Sequence, residues 1–178
     1  MKPQTPTWRY WLNISLAVIG TVALGVIAII IWLSYAQMQR YLSPPRVNAS
    51  GDFLRANNIQ YQEITLTTED GIKLYAWYTP PQNGTVILVA HGQAATIPED
   101  IYALFVRHGY GVLAWDFRSH GKSGGNFTSI GYYEVRDIKA ALDYALAQPG
   151  VEHVGGWGGS MGAATMIRAA ARHPQIER

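Results

Sequence analysis

The stretch Val154-Gly155-Gly156-Trp157-Gly158-Gly159-Ser160-Met161-Gly162-Ala163 decides how the rest of the chain is read. It runs from an apolar start through a glycine-rich corner with a serine at its apex. The alanine-rich segment to Arg172 follows, carrying Ala164, Ala169, Ala170 and Ala171. That order reads as strand, tight turn and helix. A residue at such an apex is held at strained backbone angles, so the positions two before and two after it must lack bulk. Gly158 and Gly162 stand there, in the G-x-S-x-G spacing. The positive N-terminal end of the helix then aims at the serine and favours an oxyanion. An ordinary helix opened by a glycine-rich turn has the same spelling, so the flanking sequence has to decide.

Upstream of the corner, Val135, Ile138, Ala141, Leu142 and Ala145 recur at helical spacing. They predict a helix over about 132–148, ended by Pro149-Gly150. Thr85 to Ala90 and Tyr110 to Trp115 are continuous apolar runs, as strands buried on both faces of a parallel sheet should be. The first ends at His91-Gly92-Gln93 and the second at Asp116. Between them 97–108 predicts a helix with Ile101, Leu104, Phe105 and His108 on one face. The glycine-rich segment 117–131 reads as a polar loop above the sheet edge. Further upstream, Ile64 and Leu66, then Ile72, Leu74 and Ala76, alternate with polar or larger residues around Asp70-Gly71, a strong hairpin signal. The whole predicts an α/β domain over 59–178: an antiparallel hairpin leading into a mostly parallel sheet with helices on both faces.

The N-terminus is different. Residues 1–11 form a short tail with Lys2 and Arg9 and no acid, and 12–35 contain no charged residue at all. The run Ile14 to Leu33 is long enough, at about 1.5 Å per residue, to cross a hydrocarbon core of about 30 Å. Trp8, Trp11, Trp32, Tyr35 and Tyr41 flank it as interfacial aromatics. A cleaved leader is the competing reading, but the run exceeds the usual apolar core of about 7–15 residues. The expectation is a single-pass plasma-membrane protein, its N-terminus cytoplasmic, with a juxtamembrane linker over 36–58 and the α/β domain outside. The lipid bilayer is then a partner through this one helix, and the oligomeric state stays open.

Composition bounds the chemistry. With 48% hydrophobic and 15% charged residues the chain is not a disordered tail, and a net charge of +2 without a basic cluster gives no nucleic-acid surface. The absence of cysteine excludes disulfides, thiolate metal sites and a cysteine nucleophile. The histidines lack ligand-like spacing with acids, so no metal and no cofactor are expected. Gly121-Lys122-Ser123 resembles the tail of a phosphate loop, but Asp116 stands where that loop needs glycine. Gly109-Tyr110-Gly111 opens a strand instead of following one, unlike a dinucleotide fingerprint.

Taken in order, the motifs are Thr68-Glu69-Asp70-Gly71-Ile72-Lys73-Leu74 with Trp77, His91-Gly92, and Asp116-Phe117-Arg118-Ser119-His120-Gly121-Lys122-Ser123. Gly131-Tyr132-Tyr133-Glu134-Val135-Arg136-Asp137 and Gly158-Gly159-Ser160-Met161-Gly162 follow. On these residues 61–178 resemble the N-terminal portion of α/β-hydrolase-fold serine hydrolases, most closely their membrane-anchored bacterial and BEM46-like branch. The resemblance implies that Ser160 is a nucleophile toward carboxylic ester, thioester or amide carbonyls. It further implies an oxyanion hole from the backbone N–H groups of Gln93 and Met161, with His91, Gly92, Asp116, Gly158 and Gly162 in support. His91 is expected to shape its loop and Asp116 to organise the next.

In this fold the triad acid and histidine follow the serine, and only His173 and Glu177 do so here. His173 sits near the far end of the serine's own helix, out of reach of its hydroxyl. The chain is therefore expected to be the N-terminal half of such an enzyme, truncated after the nucleophile helix, with the 151–157 strand left as an open sheet edge. A catalytically incomplete half-fold serving as a binding or assembly module is the alternative.

Overall fold

The computed structural model describes residues 7–177. Residues 1–6 of the expected tail, and residue 178, lie outside the described residues. The chain divides after Arg40 into two compact units. The first is built on α1 (Thr7–Leu42), a helix of 36 residues with none buried. By length and composition it is long and apolar enough to cross a membrane. It overruns the expected span at both ends, and Pro44-Pro45 follow shortly after its last turn, where a helix cannot continue.

The stretch expected as a linker is ordered past Leu42. It carries α2 (Asp52–Ala56) and buries Leu54 completely. Glu99 holds it, accepting the main-chain N–H groups of Ser50, Gly51 and Phe53.

β1 (Gln62–Thr67) and β2 (Lys73–Thr79) form the expected hairpin, in the register Leu66 opposite Leu74. Gly71 takes φ 81° at its tip, a conformation open to glycine. β3 (Thr85–Ala90), α3 (Glu99–Arg107), β4 (Gly111–Trp115), α4 (Val135–Leu146), β5 (His153–Gly158), α5 (Met161–Ala170) and β6 (Ile176–Glu177) follow. The strands make one mixed sheet in the order β1-β2-β4-β3-β5-β6. β2 meets β4 antiparallel, whereas β4, β3, β5 and β6 run parallel.

Strand alternation divides the core. Val86, Leu88 and Ala90 of β3, with Leu113 and Trp115 of β4, pack beneath α4 and α5, where Val135, Ile138, Ala141, Leu142 and Ala145 are all buried. Val89, Val112 and Ala114 face the other way, onto Leu54, Ile97, Tyr102 and Ala103. Each fully buried Leu, Ile or Val stabilises the fold by about 1.5–3 kcal/mol.

Three sequence expectations need correction. First, the buried residues of α3 are Tyr102 and Ala103, while Leu104 is 49% exposed. Tyr102 goes inside because its hydroxyl pairs with Thr79 Oγ1 at 2.8 Å. Second, the loop 117–131 is not a solvated segment: Phe117, Arg118, Ser119, His120, Ser123 and Thr128 are buried. Its main-chain groups are met by side chains, as buried backbone must be. Third, β5 is an open edge only in part, because β6 pairs with it at Val154–Ile176 and Gly155–Glu177, while Gly156 to Gly158 have no partner strand on that side among the described residues. The glycine pair within β5 also has a packing reason: a methyl on Gly156 would sit 2.7 Å from Met166 Sδ, and one on Gly155 3.0 Å from Ile87 Cδ1.

Candidate active site

Ser160 lies between β5 and α5 at φ 50°, ψ −115°, and is exposed. A non-glycine residue at positive φ is strained by about 1–3 kcal/mol and persists only where its surroundings over-determine it. Here they do. A methyl on Gly158 would lie 2.5 Å from Ala163 N, and one on Gly162 would lie 2.2 Å from Ala90 O and 2.6 Å from His91 O. The two glycines therefore let α5 double back onto β5 and settle against the end of β3. Gly159 N–H donates to Ala90 O at 3.0 Å, and Gly162 N–H closes the corner onto Gly159 O at 2.8 Å.

That contact brings the loop after β3 beside the serine. A methyl on Gly92 would be 3.5 Å from Ser160 Cβ. Among the described residues, neither the main-chain N–H of Gln93 nor that of Met161 has a hydrogen-bond partner. Each is thus a free donor flanking the corner, Met161 at the first position of α5, where helix N–H groups are unpaired and the dipole is positive. The Gln93 side chain donates from Nε2 to Tyr41 O at 2.6 Å, and its Oε1 is buried without a partner.

His91 is 2% exposed. Its Nδ1 bonds Gly92 O at 2.6 Å, and its Nε2 accepts the N–H of Phe117 at 2.9 Å. Those partners require a neutral ring protonated on Nδ1, and burial pushes the imidazole down to about 4. Both nitrogens are occupied, so this ring has no lone pair to take a proton from Ser160.

Asp116 is completely buried. It accepts Thr96 Oγ1 at 2.6 Å and Lys122 N–H at 2.9 Å, linking the loops after β3 and β4. Burial pushes its carboxyl up, against the pull of these donors. Gly121 belongs to the same grip, since a methyl there would lie 1.9 Å from Asp116 Oδ2.

Sequence reasoning missed two residues. His120, buried, bonds Arg118 O through Nδ1 at 3.0 Å and accepts the N–H of Ala94 through Nε2 at 3.2 Å. It lies within the Asp116–Ser123 motif, whose spelling alone gives no partner for the ring. Arg46 donates to the carbonyls of His120, Gly121, Ser123 and Gly125. No local pattern distinguishes it from Arg40 or Arg55.

Beneath the site, Arg118 donates from Nε and Nη2 to Asp137 Oδ1 at 2.9 and 2.7 Å and is bidentate to Asp70 at 2.8 and 3.1 Å. The Arg118 guanidinium, with Thr68 and Arg136, holds the Asp70 carboxyl well below the usual carboxylate range. Glu134, fully buried, accepts from Thr128 Oγ1, Ser129 N and Oγ, and Gly131 N. It thereby fixes the loop whose Thr128 lies 3.8 Å from Met161 Sδ.

His173 lies three residues past α5, in a groove with Glu69, Tyr133 and Arg136. The ten residues of α5 put it about 15 Å from the serine. The Ser160 hydroxyl has no hydrogen-bond partner among the described residues. No group of three or more potential metal ligands occurs among them either.

This corner can be compared with known proteins. The family model described as serine aminopeptidase, S33, matches residues 81–178, more than half of the chain. The chain belongs to the serine aminopeptidase family. It is thereby a serine hydrolase of the α/β-hydrolase type at the level of family. Within that frame, the esterase Pf2001 of Pyrococcus furiosus superposes with a TM-score of 0.71 and 30% identity, over 76% of this chain and 55% of that one. The uncharacterized protein YqkD of Bacillus subtilis is 25% identical over 170 residues, 91% of this chain and 55% of its own length. A non-heme chloroperoxidase of Streptomyces lividans is 31% identical over 110 residues, 61% of this chain and 39% of its own. This member of the family thus spans about half the length of its relatives, or less.

Proposed function

We propose that the chain is part of a membrane-anchored serine hydrolase that cleaves carboxylic esters, thioesters or short amides through an acyl-enzyme on Ser160. The observation that carries this reading is Ser160 itself: a non-glycine residue held at φ 50° on a strand-to-helix corner, with the loop after β3 pressed against it by Gly162. In the proposed reaction Oγ attacks the carbonyl carbon while its proton leaves to a base. The carbonyl oxygen, now negative, is held by the N–H groups of Gln93 and Met161. Collapse expels the alcohol, thiol or amine, and water later releases the acid. His91 and Asp116 hold the loop that carries the Gln93 donor, and no metal or cofactor is required.

The esterase Pf2001 and the family description favour acyl-transfer chemistry, while the acyl and leaving groups stay open. The base is not among the residues placed against Ser160, so the activity of the whole enzyme is part of the proposal. Anchoring rests on α1, with an acid-free N-terminus favouring a cytoplasmic start and an outer catalytic unit, as in the membrane-anchored branch. A second reading, a non-catalytic membrane module, draws on the unpartnered Ser160 hydroxyl.

Labelling with a fluorophosphonate separates the two readings. Covalent labelling of the membrane fraction that disappears in Ser160→Ala supports the hydrolase. A chain that folds but does not label supports the module.

A further inference from the structure

We propose that residues 41–46 form a strap that sets the oxyanion loop, with Arg46 as a positioning residue acting through it. This rests on the reading of Ser160 as nucleophile and Gln93 N–H as oxyanion donor.

The strap reaches that loop by two routes. The direct one is the bond from Gln93 Nε2 to Tyr41 O at 2.6 Å. With Oε1 unpartnered, this is the one hydrogen bond that fixes the Gln93 side chain among the described residues. The indirect one runs through Arg46. Its guanidinium gathers the carbonyls of His120, Gly121, Ser123 and Gly125, and it makes no ion pair among the described residues. A rigid fork of donors suits this use, since it fixes several acceptors at once in a segment without regular structure. The turn so fixed presents His120, whose Nε2 receives the N–H of Ala94.

Ala94 stands at φ 55°, directly after Gln93. A left-handed alanine is strained, and the His120 bond is what holds it there. The His120 bond fixes the Gln93–Ala94 peptide, which adjoins the Gly92–Gln93 plane that carries the donor, so the seating of that plane depends on a guanidinium far away in sequence. The same strap ties the opposite rim, where Thr128 N–H donates to Leu42 O at 2.7 Å and Ser43 Oγ to Asn126 O at 3.2 Å.

The test uses the full chain in detergent micelles, comparing wild type with Arg46→Gln and Arg46→Lys. Two quantities are read: amide hydrogen exchange in a peptide spanning 91–97, which needs no reaction, and fluorophosphonate labelling of Ser160. In labelling the Oγ–P bond forms, the P–F bond breaks, fluoride departs and the hydroxyl proton passes to buffer.

The expected result in Arg46→Gln is faster exchange at 91–97 and a first-order phosphonylation rate lower by about tenfold or more, the scale of small misplacements in a site. The half-saturating probe concentration should stay unchanged, and Arg46→Lys should fall between the two. Unchanged exchange in both variants overturns the strap. Faster exchange with an unchanged phosphonylation rate overturns its positioning role. If Arg46→Gln does not fold, the same comparisons are read from Arg46→Lys. Failure of the nucleophile reading is told apart because it appears without any change at Arg46: a folded wild type that does not label, or labelling that survives Ser160→Ala, overturns that reading, and the strap's role with it.

Discussion

Nε2 of His91 accepts the main-chain N–H of Phe117 at 2.9 Å, joining the ends of two neighbouring parallel strands through an uncharged ring. A proton on that nitrogen would abolish the bond and leave a charge buried beside a second imidazole, that of His120, 5.0 Å away between ring centres.

Stability should therefore depend on pH in a definite direction. In the fold His91 titrates near 4, against 6.5 when free, so the unfolded chain binds more protons between these values. The contribution is complete above 6.5, falls as pH falls through this window and is flat below 4. The expected loss is about 2 kcal/mol between pH 7 and pH 5. Urea unfolding of the full chain across that range measures it, and His91→Gln should flatten the slope.

Relief of strain at the corner gives a second expectation. Ser160→Gly should abolish fluorophosphonate labelling while raising stability relative to Ser160→Ala by about 1 kcal/mol, because glycine takes positive φ without penalty. Equal unfolding midpoints for the two variants would mean that the corner stores no strain.

Gly162→Ala should be severe despite its size. The added methyl meets the Ala90 and His91 carbonyls at 2.2 and 2.6 Å, backbone that cannot step aside, so α5 must lift from β3. A loss of about 3 kcal/mol, at the upper end for overpacking, with slower labelling of the protein that remains folded, is expected from parallel unfolding and labelling measurements.

The ion pair below the site is predicted to be structural. Asp137 is fully buried against Arg118, so Asp137→Ala leaves the guanidinium to Asp70 alone with buried donors unmet and should cost about 1–3 kcal/mol. Thermal unfolding reads this directly. The exposed pair of Lys139 with Asp143 should contribute less than about 1 kcal/mol.

What could be read from sequence was what local chemistry dictates. The apolar runs at 85–90 and 110–115, the Asp70-Gly71 turn and the 3.6-residue spacing of α4 each follow from neighbours in the chain. So does the Gly158 side of the corner, because the close approach there involves the helix that starts at it, whereas Gly162 meets the distant Ala90 and His91 carbonyls. The face of α3 misled for a physical reason: a hydropathy pattern treats Tyr102 as half polar, yet its hydroxyl finds Thr79 and the ring goes inside. Loop 117–131 misled similarly, since its polar residues are buried by partners elsewhere in the chain. Arg46 lies 74–79 residues from the carbonyls it binds, and no spacing rule reaches that far. The position of β4 between β2 and β3 was equally silent, because strand order in space is set by how crossovers pack.

The carbonyl of Ala90 receives Gly159 N–H and abuts Gly162, and the loop carrying Gln93 begins one residue later. In the proposed mechanism, attacking group and charge-receiving pocket are thus referenced to a single atom at the middle of the sheet. When the sheet breathes, both are carried along together. The gap between them is governed by a few short covalent paths from one shared origin, so the part of the molecule with the tightest tolerance is also the part least exposed to accumulated error.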